Sequence, residues 1–304
     1  MSTVNSEVFL TVFTPAYNRA HTLPRTYDSL LNQGCKDFVW LIVDDGSTDG
    51  TAELVRKWQQ CDNGFEIRYI YKENGGMHTA HNTAYENIDT ELNVCIDSDD
   101  AMAEGAVEKI KHKWAEVRNL GYAGIIGLDA DMDGNVLGSG FPEGLSETTL
   151  KGFYAAGGKG DMKLVYRTDI IKKYPPYPVF TGEKYVALAY KYRLIDNDYK
   201  LSVLDEVLCL VEYQQDGSSN NMLRQYVRNP NGFAFWRKIC LENPSGTGRM
   251  IIDCIHYVSS SIIAGNGRYV GESPKKLLTV LLTPAGWLLT LYIKFKTRGL
   301  CTDK

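Results

Sequence analysis

The strongest constraint on the fold is a repeating alternation within the first 130 residues. Five short runs rich in β-branched or aromatic residues alternate with four stretches in which apolar residues recur at helical spacing. The predicted strands are Val8–Thr14, Val39–Val43, Glu66–Tyr71, Leu92–Ile96 and Ala123–Leu128, and the predicted helices are Leu23–Leu31, Thr51–Gln60, Met77–Asn87 and Glu104–Asn119. Such alternation is typical of βαβ units. We therefore predict an α/β fold, with a mostly parallel sheet whose ligands bind beyond the carboxyl ends of its strands.

The alternation stops after Leu128. Asp133-Gly134 predicts a hairpin turn, and residues 129–180 mix glycine, proline and aromatic residues in the manner of loops and short strands. Helical patterns return from Asn221 to Ala264. The sequence therefore predicts one α/β domain over 1–220 and a helical C-terminal region over 221–304.

Composition limits the functional class. With 44% hydrophobic and 23% charged residues, the chain has the make-up of an ordinary globular protein. Its net charge of −4 gives no general attraction to nucleic acid, so nucleic-acid binding is disfavoured. The seven cysteines show no metal-binding or disulfide spacing, and the N-terminus lacks the pattern of a signal peptide. We expect a cytoplasmic protein.

Carboxylates follow the second predicted strand. Val39–Val43 runs directly into Asp44-Asp45-Gly46, at the edge where a doubly wound sheet opens its ligand crevice. Carboxylates there can accept hydrogen bonds from a ribose hydroxyl or a base N–H. The alternative is an Asp-rich turn that only caps the next helix.

A second acidic cluster follows the fourth predicted strand. Leu92–Ile96 leads into Asp97-Ser98-Asp99-Asp100, and carboxylates this close require a counter-charge when they are ionised together. A hard divalent cation with oxygen ligands satisfies that need, especially one that also bridges a diphosphate. The alternative is a solvated loop that tolerates three acids without metal.

The last apolar segment suggests contact with a membrane. Seventeen uncharged residues separate Lys276 from Lys294, and further basic residues follow directly. Trp287 and Tyr292 are residue types that favour membrane interfaces. We expect a peripheral or re-entrant membrane anchor over 276–298, or else helices that pack on the domain or on a second subunit in a homo-oligomer.

Several ordered segments together resemble the family 2 glycosyltransferases. TVFTPAYNRAHTLPRTYDSLLNQ resembles the family's first strand and helix, VDDGSTDGT its second-strand signature, and ENGGMHTAHNTAYENIDTELNVCIDSDD the segment leading into its DxD motif. The resemblance covers about 8–130 and implies the nucleotide-sugar-binding GT-A fold. It divides the α/β domain into a nucleotide-sugar half, about 1–130, and an acceptor half, about 131–220. GDMKLVYRTDIIKKYPPYPVFTGEKYV also resembles a bacterial subgroup associated with cell-surface glycan assembly.

The resemblance implies a donor site. Thr14, Pro15 and Tyr17 would line the nucleobase pocket, Asp45 would contact the base or ribose, and Asn74, His78 and His81 would approach the phosphates or sugar, with His81 standing where an arginine is common. Asp99 would hold Mn²⁺ or Mg²⁺, Asp97 would lie near both ribose and metal, and Asp100 would substitute or assist.

The resemblance also implies a reaction. FTGEKYVALAY resembles the family's acceptor-side motif, which makes Glu183 the candidate general base; from the residues alone, a glutamate at that position is usually a helix-dipole partner. The QxxRW motif of processive synthases is absent from the sequence, so we expect inverting transfer of a single sugar from a nucleoside diphosphate sugar to a glycan or lipid-linked acceptor. The alternatives are a non-catalytic nucleotide-binding or scaffold member of the same fold and a sugar-1-phosphate nucleotidyltransferase.

Overall fold

A computed structural model describes residues 8–212 and 222–298 of the chain. The described residues form two compact units. The first, called here the sheet unit, comprises 8–176 and Lys191–Glu212; the second, the C-terminal unit, comprises Tyr177–Tyr190 and 222–298. The predicted domain boundary at 220 lies outside the described residues, and the halves predicted within 1–220 stay predictions.

The sheet unit is built on one mixed sheet, in which the described residues supply nine strands. The strands are β1 (Leu10–Ala16), β2 (Phe38–Asp44), β3 (Glu66–Tyr71), β4 (Leu92–Cys95), β5 (Ala101–Met102), β6 (Gly124–Ala130), β7 (Glu147–Thr148), β8 (Met162–Arg167) and β9 (Leu201–Leu210). Their spatial order is β3-β2-β1-β4-β8-β6-β9-β5, and β7 pairs with β9. The predicted α/β class is therefore confirmed.

The first half of the sheet follows the predicted βαβ pattern. β1 lies between β2 and β4, parallel to both, and β2 pairs in parallel with β3. Every residue of β1 and β2 is buried, as expected of strands covered on both faces. The connecting helices are α1 (Leu23–Leu31), α2 (Thr51–Trp58), α3 (Met77–Asn87) and α4 (Ala106–Val117). β3, α1 and α3 match their predicted bounds.

The second half of the sheet contains a strand that the sequence analysis did not resolve. β8 lies antiparallel between β4 and β6 and joins the two halves of the sheet. The predicted hairpin turn is confirmed, because Ala130 pairs with Val136 across Asp133-Gly134. Short helices α5 (Leu150–Ala155) and α6 (Thr168–Lys173) flank β8 in sequence, and α7 (Ala189–Ile195) precedes β9.

The C-terminal unit is helical, as predicted. Its elements are α8 (Met222–Arg228), α9 (Pro230–Glu242), α10 (Thr247–Ile263), α11 (Tyr269–Glu272) and α12 (Lys276–Lys296). α10 packs against both α9 and α12. The region predicted to meet a membrane is thus mainly one 21-residue helix, and its proline at 284 lies inside that helix.

Candidate functional site

The carboxyl end of β1 offers one exposed ring. Thr14 is fully buried, and its hydroxyl accepts a hydrogen bond from the Trp40 indole Nε1 at 3.0 Å. Pro15 is also buried within the strand. Tyr17, just beyond the strand, is 49% exposed. Of the three residues predicted to line the nucleobase pocket, only Tyr17 presents its side chain to solvent.

Asp45 organises the loop between β3 and α3. Its carboxylate accepts hydrogen bonds from Lys72 Nζ at 2.5 Å and from the backbone N–H groups of Gly75 and Gly76 at 2.9 and 2.8 Å. Its backbone carbonyl accepts a hydrogen bond from Asn74 Nδ2 at 2.7 Å. Asp45 and Asn74, both predicted site residues, are therefore held together at this edge of the sheet.

The two predicted histidines differ in their surroundings. His78 is 2% exposed, neither ring nitrogen has a hydrogen-bond partner, and burial lowers its pKa to about 4. His81 is fully buried, packs edge-on against Phe13 and lies 3.3 Å from the Tyr85 hydroxyl through Nδ1. Burial lowers the pKa of His81 to about 3. His81 is thus a core residue in this structure, and its contact with a donor stays a prediction.

Residues 97–100 form a tight turn held by α1. The Asp100 N–H donates to the Asp97 carbonyl at 3.0 Å, and the Thr26 hydroxyl donates to the Asp100 carbonyl at 2.8 Å. Arg25, which the sequence analysis did not identify, donates to the Asp99 carbonyl at 2.8 Å and pairs with Glu212. The turn therefore presents its acidic side chains from a fixed backbone.

The acidic side chains of this turn repel one another. Burial and then the neighbouring Asp97 charge raise the pKa of Asp99. Burial raises the pKa of Asp100 to about 7, with Asp97 and Asp99 adding to the shift and Lys163 opposing it. The Asp100 carboxylate, 5% exposed, accepts the Glu212 N–H at 3.3 Å and faces the interior more than its neighbours do.

A largely buried lysine supplies part of the counter-charge. Lys163 on β8 lies 3.7 Å from the Asp129 carboxylate, and the charges of Asp129, Asp97 and Asp100 raise its pKa although burial opposes its charge. The sequence analysis missed Lys163 and Asp129. The available signal was a lysine inside an apolar run, MKLVYR, together with an aspartate near the end of the fifth predicted strand.

Asp97 and Asp99 could supply two ligands to a divalent cation whose other ligands do not come from the protein. Both carboxylates are hard oxygen donors, and the Asp97 charge adds to burial in raising the pKa of Asp99. Among residues 8–212 and 222–298, no three His, Cys, Asp or Glu side chains are grouped to hold a metal by themselves. A cation here would take its remaining ligands from phosphate oxygens and water, as Mg²⁺ commonly does.

Glu183, in the C-terminal unit, lies at the start of α9. Its Oε1 accepts from the Asn231 N–H at 2.9 Å and from Asn231 Nδ2 at 2.7 Å, while Oε2 accepts from the Gly232 N–H at 2.8 Å. The side chain is 8% exposed. The alternative role predicted for Glu183 was that of a helix-dipole partner. The helix whose N-terminus it contacts is α9, which begins almost fifty residues further along the chain.

Comparisons with known proteins agree with this architecture. The family model described as "Glycosyl transferase family 2" matches residues 11–156. A glycosyltransferase of Streptococcus pneumoniae, GlyA, is 34% identical over 107 residues, which cover 35% of this chain and 15% of that protein. A Campylobacter jejuni protein named GalNAc(5)-diNAcBac-PP-undecaprenol beta-1,3-glucosyltransferase is 28% identical over 169 residues, which cover 54% of this chain and 53% of that protein. The chain thus spans at most about half the length of these two relatives.

A solved structure extends the similarity of fold. TarS 1-349 of S. aureus, in complex with UDP-GlcNAc, superposes with a TM-score of 0.56 at 16% identity, covering 97% of this chain and 93% of that one. At this level of identity the match concerns the fold, and it includes the helical region that the family model does not reach.

Proposed function

Because this chain carries a glycosyltransferase family 2 domain, we propose that it transfers a single sugar from a nucleoside diphosphate sugar to an acceptor hydroxyl, with inversion at the anomeric carbon. The observation that carries the proposal is the acidic turn 97–100, which follows a parallel strand of the family domain and is fixed by α1. Carboxylates at that edge lie where open α/β sheets bind their ligands.

The donor binds at the carboxyl ends of β1, β2 and β4. Tyr17 lines the nucleobase pocket with its exposed ring, and the buried Thr14 and Pro15 form the wall behind it. Asp45 and Asn74 shape the loop that meets the base or ribose, since each is already fixed by hydrogen bonds within that loop.

The phosphates and the metal belong to the same edge. His78 has two ring nitrogens without partners in the structure, so it has donor and acceptor capacity left for the diphosphate or sugar. Asp97 and Asp99 would hold Mn²⁺ or Mg²⁺. Asp100, which is buried, would assist them. When bound, the cation supplies Lewis-acid stabilisation of the leaving diphosphate.

Glu183 is the proposed general base. The acceptor oxygen forms a bond to the anomeric carbon as the bond from that carbon to the diphosphate oxygen breaks, and the acceptor proton passes to the Glu183 carboxylate. Both carboxylate oxygens accept hydrogen bonds from the start of α9. Oε1 accepts two hydrogen bonds and Oε2 only one, so Oε2 keeps acceptor capacity for the proton while α9 holds the carboxylate in place.

The acceptor is proposed to be a glycan or a lipid-linked sugar used in bacterial cell-surface glycan assembly. The Campylobacter relative is named for an undecaprenol-linked acceptor, and the lack of a QxxRW motif in the sequence favours a single transfer over polymer extension. Such an acceptor would be met from the cytoplasm at the inner face of the cytoplasmic membrane. Self-association into a homo-oligomer is an alternative use of the same C-terminal helices.

Calorimetric titration of the purified chain with UDP, GDP and dTDP, each with Mn²⁺ and again with EDTA, tests the donor site without an acceptor. We expect one nucleotide to bind tightly and only with metal. The matched variants are Asp99→Asn, which removes a proposed metal ligand, and Asp133→Asn, which removes an exposed carboxylate from the hairpin. Binding of no nucleotide, or equal binding by Asp99→Asn, contradicts the proposal and favours a non-catalytic scaffold.

A further inference from the structure

Most of the large apolar side chains of α12 face outward, which is the reverse of the usual arrangement in a globular protein. The residues of α12 that are buried are Thr279, Gly286, Thr290 and Ile293, three of which are small or hydroxylated. The exposed ones include its largest apolar side chains: Leu277, Val280, Leu281, Trp287, Leu288, Leu291, Tyr292 and Phe295, each between 50% and 83% exposed. Leu278, Leu282, Leu289 and Ile293 pack inward, but most of the large apolar side chains of α12 are left in water, which is an unfavourable arrangement.

The buried face of α12 is built for close contact with α10. A Cβ atom at Gly286 would lie 2.3 Å from a methyl carbon of Val258, so only glycine allows the approach seen here. The Thr290 hydroxyl lies 3.0 Å from the Ser259 hydroxyl and also donates to the Gly286 carbonyl at 2.9 Å. Small residues and hydroxyl pairs are the means by which helices associate where no hydrophobic gain is available between them.

The exposed face of α12 forms a continuous stripe. With the exposed Pro284 between Leu281 and Trp287, its members recur at intervals of three and four residues from Leu277 to Phe295, so they line one side of a helix about 31 Å long. Large contiguous apolar patches of this kind mark an interaction surface for protein or membrane.

The charges at the ends of α12 identify the partner. Residues 275–298 contain five basic residues and no aspartate or glutamate. Lys276 lies at the beginning of α12, and Lys294, Lys296 and Arg298 lie at its end, all four exposed. Trp287 and Tyr292 are the residue types enriched at the boundary between lipid and water. An apolar stripe that ends in cations complements an anionic lipid surface.

We propose that the C-terminal unit docks on an anionic bilayer through α12, which lies in the plane of the interface with the stripe Leu277–Phe295 in the acyl region. Among the described residues, α12 is the one helix long and apolar enough to span a membrane. Its other face, however, packs on α10, which carries Arg249 and the Arg237 partner Asp253. Spanning would draw those charges into hydrocarbon, whereas an in-plane position leaves them on the aqueous side.

The proposal deepens the proposed function, because a lipid-linked acceptor would be presented at that surface, but it is tested without donor or acceptor. The full chain is mixed with vesicles of phosphatidylcholine alone, or of phosphatidylcholine and phosphatidylglycerol in equal parts, and separated by flotation. We expect binding to the anionic vesicles that is released by alkaline carbonate, with a blue shift of tryptophan fluorescence that Trp287→Phe reduces.

Two sets of variants separate the apolar stripe from the charges. Leu281→Ser combined with Leu288→Ser should weaken vesicle binding by more than about tenfold. Lys294→Glu, Lys296→Glu and Arg298→Glu together should weaken it by about 10²-fold or more. The matched control is Leu120→Ser with Val179→Ser, two apolar residues exposed to 65% and 66% outside α12, which should bind like the parent.

Each outcome decides the proposal. Equal binding to neutral and anionic vesicles, resistance to carbonate, or absence of binding by the intact chain overturns it. A dimer in sedimentation that Leu281→Ser with Leu288→Ser dissociates, without vesicle binding, assigns the stripe to a second copy instead. Nucleotide titration of the same variants should be unchanged, so failure of the membrane site and failure of the donor site are distinguishable.

Discussion

The sheet unit covers its large apolar side chains, whereas helix α12 leaves most of its own exposed. In the sheet unit, Trp40 and Phe38 are at most 1% exposed, and the buried charged groups include Asp44 and Asp129. In α12, Trp287 is 50% exposed while Thr279 and Thr290 are buried. Because a surface in water normally covers its apolar side chains, the sheet unit has the surface expected of a protein in water that binds a polar ligand. The exposed face of α12 would suit a less polar phase, as proposed above.

The largest expected effect concerns the one proposed catalytic residue that lies in the C-terminal unit. Glu183→Gln should reduce transfer by about 10²–10⁴-fold if Glu183 is the base, while donor affinity stays as it was. The matched variant Asn231→Ala removes one hydrogen-bond donor to Glu183 but keeps the carboxylate. Steady-state kinetics and nucleotide titration of both variants provide the test.

The opposite result has its own signature. If Glu183 only holds the start of α9, both variants should lower the melting temperature and neither should change turnover of the folded protein. That result would remove catalysis from the C-terminal unit.

The next largest effect is expected from replacing Lys163, which offsets charge inside the sheet unit. Lys163→Leu leaves Asp129, Asp97 and Asp100 without their cation, and removing one partner of a buried ion pair costs about 3–5 kcal/mol of unfolding free energy. Chemical denaturation should show this loss, whereas the exposed Lys57→Leu should change stability by less than about 0.5 kcal/mol. A Lys163→Leu protein as stable as its parent would mean that Lys163 does not offset the charge of the neighbouring aspartates.

Gly286→Val tests the packing of α12. The added atoms would overlap Val258, so we expect the packing of α12 on α10 to loosen, at a cost of about 1–3 kcal/mol. Leu288→Ser, on the exposed face of the same helix, should stay within about 0.5 kcal/mol of the parent in solution. Thermal unfolding of both proteins makes the comparison, and a larger loss for Leu288→Ser would contradict the assignment of inner and outer faces.

The last comparison is a slope of stability with pH, small over any single pH unit. His78 and His81 have pKa values of about 4 and 3 in the native state because burial disfavours their charged form. Below pH 6.5 the unfolded chain binds protons that the native state does not, so stability falls as the pH falls from 6.5 toward 4. Each histidine contributes at most about 1.4 kcal/mol per pH unit. Urea unfolding across this range should show a smaller slope for His81→Phe; an unchanged slope would mean that His81 is protonated in the native state.

The parts of the fold that depend on local pattern were predictable. The bounds of β3, α1 and α3 were predicted to the residue, because the hydrophobic periodicity and the residues that end each segment agree. β8 was not found, because its pairing with β4 joins Val94 to Val165 and nothing local in sequence specifies that partner. For the same reason the sequence analysis placed the acidic turn but missed its lysine, and it named Glu183 without the helix that Glu183 contacts.

The position of β8 has a consequence for how the molecule is made. A nascent chain that has emerged only as far as β6 holds strands β1–β4 and the whole acidic turn, but neither the strand that completes the sheet nor the lysine that offsets the turn's charge. Roughly thirty-five further residues must be synthesised after β6 before Val94 finds its neighbour Val165, which at ordinary translation rates takes several seconds. During that interval β4 is an open edge, and the half-made sheet is most exposed to pairing with another chain.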